Sequence, residues 1–327
     1  MDASTEPTKP TRLWLDGCFD GFHFAHANAV RQTLSLVPGP VHITVGVHSD
    51  SEILRNKGPP LFPERERYDL IRGCRWVDHV VEDVPYVTQL AVIDEYSIDY
   101  VVHGDDPVLD ADGNDCYAFA KSAGRYLECK RTPGISTTSL IDRILHPEKP
   151  RISSEEPLRA LLHVFAQSAN PVVPVLSLTD QLSGSLRRPR TLIWGAWDCF
   201  GAGHVELLKR ASLVAEGVLV VGIWDDTTVE GITGEQPLLS HLERALAVVQ
   251  CRHTGAVILN FPRQPSQELL RSHGIDVVIT FEGEFQPSGD LKARRIDCPA
   301  LQTVPILREK VHEQLKLFED RQRRKGA

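Results

Sequence analysis

Short apolar runs alternate with segments whose apolar residues recur every three or four positions, in both halves of the chain. In the first half, VHITVGVHSD (41–50) reads as a strand and ERERYDLIRGCRWVD (64–78) as a helix. VDHVVED (77–83) reads as the next strand, and IDYVVHGDD (98–106) as a strand that runs into a polar loop. Strands and helices in this alternation predict an α/β fold in which a parallel sheet is covered by helices.

The pattern is written twice. WGAWDCFGAGH parallels DGCFDGFHFAH, LVVGIWDD (219–226) parallels ITVGVHSD (43–50), and IDVVITFEG lies over IDYVVHGDD. Glu243, Arg244, Cys251 and Arg252 fall opposite Glu66, Arg67, Cys74 and Arg75, each 177 positions further on. A separation that stays near this value marks a duplicated domain. The expected copies are 11–148 and 190–320. Between them, 149–189 is rich in Pro, Ser and Arg and reads as a linker, with room for a short helix at EPLRALLHVF.

Composition narrows the classes. A chain of 327 residues with 42% apolar and 24% charged residues can bury two cores. A formal charge of −8 argues against a nucleic-acid partner held by electrostatics. No apolar run is long enough to cross a bilayer, so no stable membrane insertion is expected. MDASTEPTKPTR has no apolar core and does not read as a signal peptide. Seven scattered cysteines without a C-x-x-C pair suit reduced thiols in a cytoplasmic protein better than disulfides or a zinc site.

Four stretches carry candidate chemistry. In DGCFDGFHFAH a strand ends, Gly17 permits a turn, and a helix begins near His26. A helix N-terminus is a ready phosphate site, and His23 and His26, spaced i, i+3, can both donate to phosphate oxygens. Lys57 sits in the loop RNKGPP, where a mobile ammonium can close over a polyphosphate. RTPGISTT (131–138) joins a cation, a Gly turn and the hydroxyls of Ser136, Thr137 and Thr138 ahead of a helical LIDRIL, a second phosphate cradle. HGDD (103–106) puts His103, Asp105 and Asp106 at the carboxyl end of a strand, where open α/β sheets hold ligands. Each stretch also has a plainer reading, as buried or surface histidines, a solvated lysine, a capped helix and an acidic turn.

Taken together these stretches resemble a known family. His23-Phe-Ala-His26 is similar to the H-x-G-H motif of the nucleotidyltransferase superfamily, and RTPGISTT to the R-T-x-G-I-S-T-T motif of its cytidylyltransferases. The resemblance implies two tandem Rossmann-like nucleotidyltransferase domains, each a parallel sheet flanked by helices. Two copies in one chain resemble the ethanolamine-phosphate branch. The choline enzymes carry one catalytic domain and a long membrane-binding helical tail. One departure is Ala25 in place of the usual Gly, harmless if the backbone there is helical.

What the resemblance implies is transfer of CMP from CTP to phosphoethanolamine, with Mg²⁺ accompanying CTP. Phosphocholine or glycerol-3-phosphate are alternative acceptors, and a CTP-binding regulator without turnover is the alternative of another class. His23, His26, Lys57 and Arg131 are the implied catalytic residues. Ser136, Thr137 and Thr138 would hold phosphates, Gly17, Phe19 and Asp20 would shape the loop beneath the nucleotide, and His103, Asp105 and Asp106 would meet the acceptor. No macromolecular partner is implied beyond a monomer or homodimer.

The second copy has Gly201 opposite His23, Gly234 opposite Lys57, TFEG opposite HGDD and no GISTT, while His204 remains opposite His26. It is expected to fold without catalysing. At the C-terminus, Val311, Leu315 and Phe318 share one helical face, expected to dock on the second domain.

Overall fold

A computed structural model describes residues 9–110, 112–147, 149, 154–180, 186–280 and 291–318. The chain forms two compact units, Met1–Ser139 with Val311–Ala327, and Leu140–Lys310.

The first unit runs β1 (Thr11–Gly17), α1 (Phe24–Gln32), β2 (Val41–Val47), α2 (Asp50–Asn56), α3 (Glu64–Gly73), β3 (His79–Glu82), α4 (Leu90–Glu95), β4 (Tyr100–Gly104), α5 (Ala118–Ser122), β5 (Tyr126–Cys129) and into α6 (Thr137–Leu145). Its five strands lie in the order β3-β2-β1-β4-β5, and all neighbours are parallel. β1 and β2 pair in full register from Thr11 opposite Val41 to Gly17 opposite Val47. Leu13–Asp16 and Ile43–Val47 are buried at every position, as strands covered on both faces must be. From β1 the chain moves to β2 and β3 on one side and returns to β4 on the other. The crevice beyond the carboxyl ends of β1 and β4 is therefore the switch point at which such sheets bind ligands.

The second unit contains α7 (Glu155–Gln167), β6 (Val175–Leu176), β7 (Arg190–Gly195), α8 (Ala202–Val214), β8 (Val218–Ile223), α9 (Asp226–Thr233), α10 (His241–Val249), β9 (Ala256–Ile258), α11 (Gln267–Ser272), β10 (Val277–Thr280), β11 (Lys292–Arg295) and most of α12 (Val304–Glu313). The sheet order is β11-β10-β7-β8-β9-β6, again parallel throughout. Five of its strands reproduce the first sheet position for position, so the repeat read from the sequence is a repeat of fold.

The sixth strand comes from the stretch expected to be linker. Leu158, Leu162, Phe165 and Ala166 form the buried stripe of α7, which packs on α10, and β6 pairs with β9. Much of 149–189 is thus integral to the second unit. The helix expected over 64–78 ends at Gly73, because Cys74 is extended and the chain turns toward β3. The C-terminal stripe is also placed differently: Val311 and Phe318 are fully buried, and the chain from Val311 groups with the first unit rather than the second. All seven cysteines are free thiols, six of them buried. Among the described residues no helix is long and apolar enough to cross a membrane.

Candidate active site

At the switch point β1 ends in a tight loop. Phe19 and Gly21 take positive φ, +46° and +61°, which turns the chain back to start α1. His23 is the extended residue before that helix (φ −110°, ψ 173°), and the first helical bond runs from the Ala27 N–H to its carbonyl. No acidic residue stands in the first turn, so the positive end of the helix dipole is not neutralised there. The His23 and His26 rings stack with centroids 3.9 Å apart, 15° from parallel. Phe22 stacks on His26 at 5.8 Å, and the Phe19 ring meets it edge-on at 5.6 Å. Ala25 lies inside α1, where its methyl group is accommodated.

Asp20 is committed to the backbone of the neighbouring loops. Its carboxylate is buried and accepts the N–H groups of Leu61 and Phe62 at 2.9 Å, while its carbonyl accepts the Thr137 hydroxyl at 2.8 Å. It therefore fixes the return of the Lys57 loop and the start of α6. Lys57 caps the C-terminus of α2, Gly58 at φ +97° turns the chain, and the ammonium lies 5.5 Å over the Tyr86 ring. Beneath the loops lies Arg67, fully buried. It donates to the carbonyls of Cys18 and His48 at 2.8 Å, to that of Phe62 at 3.1 Å, and to the Asp50 carboxylate at 2.8 Å. One guanidinium thus ties three loops together, as only its fork of five donors allows.

The 131–138 stretch closes the other wall. Ser136 and Ser139 cap each other reciprocally at the start of α6, hydroxyl to N–H at 2.8 and 3.0 Å. Asn28 of α1 donates to the Thr132 hydroxyl at 2.8 Å, linking α1 to the 131–138 stretch. Arg131 pairs with Asp106 at 3.4 Å, and its N–H donates to Asp105 at 3.0 Å. The acidic pair of HGDD is therefore turned toward Arg131.

A cavity of about 250 Å³ gathers these groups. Gly17, Phe19, Asp20, His23, His26, Lys57, His103, Asp106, Arg131, Ser136 and Thr137 line it, whereas Asp105 and Thr138 do not. Burial holds the His103 imidazole below its ordinary pKa, so it is a neutral hydrogen-bonding group. Sequence reasoning missed Asp16, at the end of β1. This buried carboxylate lines the same cavity and accepts from the Tyr117 hydroxyl at 2.7 Å, the Trp14 indole at 3.1 Å and the Thr88 hydroxyl. Burial, then the Asp16 charge, pushes the Tyr117 phenol well above its usual range. The available signal was a lone carboxylate closing the apolar run LWLDG.

The second unit keeps the frame, with Gly201, Gly234 and Trp194 in place of His23, Lys57 and Asp16. Asp198 accepts from the N–H groups of Leu238 and Leu239, as Asp20 does from Leu61 and Phe62. Arg244 donates to the carbonyls of Leu239 and Ala196 and to Asp226, repeating the Arg67 bonds to Phe62, Cys18 and Asp50. Gly234 stands in the left-handed C-cap of α9 where Lys57 follows α2. His204 uses its Nδ1 to accept the Gly201 N–H at 3.2 Å, and burial lowers its pKa to about 4. It is a neutral cap on its own helix. Phe281, Glu282 and Gly283 of TFEG lie outside the described residues.

Comparison with known proteins agrees with this duplication. The family model described as Cytidylyltransferase-like matches residues 14–143 and 192–285. An ethanolamine-phosphate cytidylyltransferase from Arabidopsis thaliana is 37% identical, over 87% of this chain and 72% of that protein. One from Mus musculus is 34% identical, over 85% of this chain and 77% of that protein. A choline-phosphate cytidylyltransferase 2 from Arabidopsis thaliana is 42% identical but covers 43% of this chain and 47% of its own length.

Proposed function

Since the chain belongs to the cytidylyltransferase-like family, we propose that it transfers CMP from CTP to phosphoethanolamine, giving CDP-ethanolamine and pyrophosphate. The observation that carries this reading is the convergence of the stacked His23–His26 pair, Lys57, Arg131 and the Ser136–Thr137 turn on one cavity at the switch point. The relatives named for ethanolamine phosphate run through both halves of the chain, whereas the choline relative stops short of half.

In the reaction an oxygen of the phosphoethanolamine phosphate forms a bond to the α-phosphorus of CTP, and the bond to the β-phosphate bridging oxygen breaks. The acceptor phosphate has a second pKa near ~6 and is largely dianionic at neutral pH, so no general base is required. The protein's contribution is to position the two phosphates in line and to stabilise the charge that builds on the leaving pyrophosphate. His23, His26 and the first turn of α1 suit the triphosphate. Lys57 is placed to bridge it to the incoming phosphate, and Arg131 with the start of α6 suits the β and γ positions. Asp16, rather than the HGDD pair held by Arg131, is the carboxylate we assign to the acceptor ammonium.

Among the described residues no three His, Cys, Asp or Glu converge on a point that would hold a metal ion. Mg²⁺ would arrive on the triphosphate, since it keeps its waters and takes phosphate ligands in such sites. When bound it adds charge neutralisation at the phosphates. The free, mostly buried thiols fit a cytoplasmic enzyme, working as monomer or homodimer.

The test is pyrophosphate release from CTP and Mg²⁺ with phosphoethanolamine, phosphocholine and glycerol 3-phosphate offered separately. Turnover with phosphoethanolamine above both others is the expected result. Preference for another acceptor replaces the substrate, and binding of CTP without turnover replaces the enzyme by a CTP-binding regulator.

A further inference from the structure

The carboxyl end of the second sheet opens on a cavity of about 1130 Å³, larger than the candidate active site. Its place matches the first cavity, yet its walls are of another kind. Trp194 stands where the first unit has Asp16, Trp197 where it has Phe19, and Trp224 where it has His48.

The phosphate end of this cavity is filled by the chain itself. Gly201, opposite His23, has a Cβ position 3.4 Å from Cγ of Gln302. At Gly203, opposite Ala25, a Cβ would run into the Ala300 carbonyl. Residues 300–302 thus lie against the start of α8, the place a triphosphate would need.

Beside charged residues of both signs, among them Arg263, Arg295, Glu235 and Asp297, what remains offers aromatic faces and neutral donors. The indole N–H groups of Trp194 and Trp197 are spent on the carbonyls of Arg263 and Gly222, at 3.0 and 2.9 Å. The Trp224 Nε1–H is buried and has no hydrogen-bond partner among the described residues. His204 also lines the cavity. With Nδ1 accepting from Gly201, its hydrogen sits on Nε2, and burial keeps the ring uncharged.

From these walls we propose that the second unit binds an uncharged heteroaromatic molecule of nucleoside size bearing carbonyl acceptors, and excludes the nucleoside triphosphate. Indole faces stack on a planar ring whatever its edge substituents. A donor left unpaired inside a protein gains most from a ligand that supplies its acceptor. The site would make the second copy a sensor of a neutral compound rather than a spare catalytic centre.

Cytidine is the probe. Equilibrium dialysis of the full chain with labelled cytidine, at saturating CTP and Mg²⁺, is expected to retain one cytidine per chain and one CTP per chain. Ile232→Arg and Gln264→Trp, two exposed positions on the cavity wall, should each weaken the retained cytidine at least tenfold and leave CTP binding unchanged. Absence of retained cytidine, equal retention in both variants, or two CTP per chain would overturn the proposal. The same dialysis without CTP separates the two readings. Cytidine lost by both cavity variants upholds the second site even if CTP fails to bind and the proposed activity falls.

Discussion

The imidazole rings of His23 and His26 lie 3.9 Å apart and nearly parallel, and they line the cavity together with the first turn of α1. Two donors in one stack present a single surface to a phosphate. Removing either donor should therefore reduce transition-state stabilisation without unfolding the domain.

His26→Ala is expected to lower kcat/KM by roughly 10²–10³-fold, the scale set by deleting one preorganised donor to developing charge. Pyrophosphate release checks the rate, and circular dichroism checks the fold. A loss below threefold would remove His26 from the phosphate site.

Asp16→Asn keeps the shape and deletes the charge. The expected result is at least a tenfold rise in KM for phosphoethanolamine with KM for CTP within twofold. Equal effects on both substrates would mean that Asp16 only props up Trp14, Thr88 and Tyr117.

Arg67→Met leaves three carbonyls and the Asp50 carboxylate without their common donor. The expected cost is about 3–5 kcal/mol, typical of breaking one side of a buried charged network. Arg244→Met should cost a similar amount. Urea unfolding followed by circular dichroism measures both. A change under 1 kcal/mol in either would show that the repeated arginine does not hold its loops.

His204 gives the second unit a pH dependence. Its folded pKa of about 4 lies below the ordinary 6.5, so the unfolded chain binds the extra proton across that interval. Stability from this group is fully present above pH 6.5 and falls as pH drops toward 4, by at most on the order of 3 kcal/mol. Thermal unfolding from pH 7 to 4 should show the slope, and His204→Phe should reduce it, His241 keeping its own share, while phosphoethanolamine turnover persists. An unchanged slope in that variant would assign the pH dependence elsewhere.

Much of this was legible in the sequence because duplication repeats the residues that build loops. Asp20 with Asp198 and Arg67 with Arg244 recur at nearly constant spacing, and each pair shares most of its bonds. Asp16 was not legible, since its partners Thr88 and Tyr117 are 72 and 101 residues away and no local pattern joins them. Strand β6 escaped notice because two residues carry no periodicity. The roles given to Asp105 and Asp106 rested on chemistry without direction, and the backbone aims both at Arg131.

Strand β6 also decides what the second sheet shows to other molecules. β9 is Ala-Val-Ile, buried at all three positions, and in the first sheet its counterpart β3 is an edge that begins with His79 and ends with Glu82. An uncharged apolar edge is a template for strand addition by another chain, and charge on an edge discourages it. By pairing Val175 and Leu176 with Val257 and Ile258, the segment joining the two copies hides the more adhesive edge. The edge that remains, β6, is only two residues long, and so short a strand leaves another chain little to pair with.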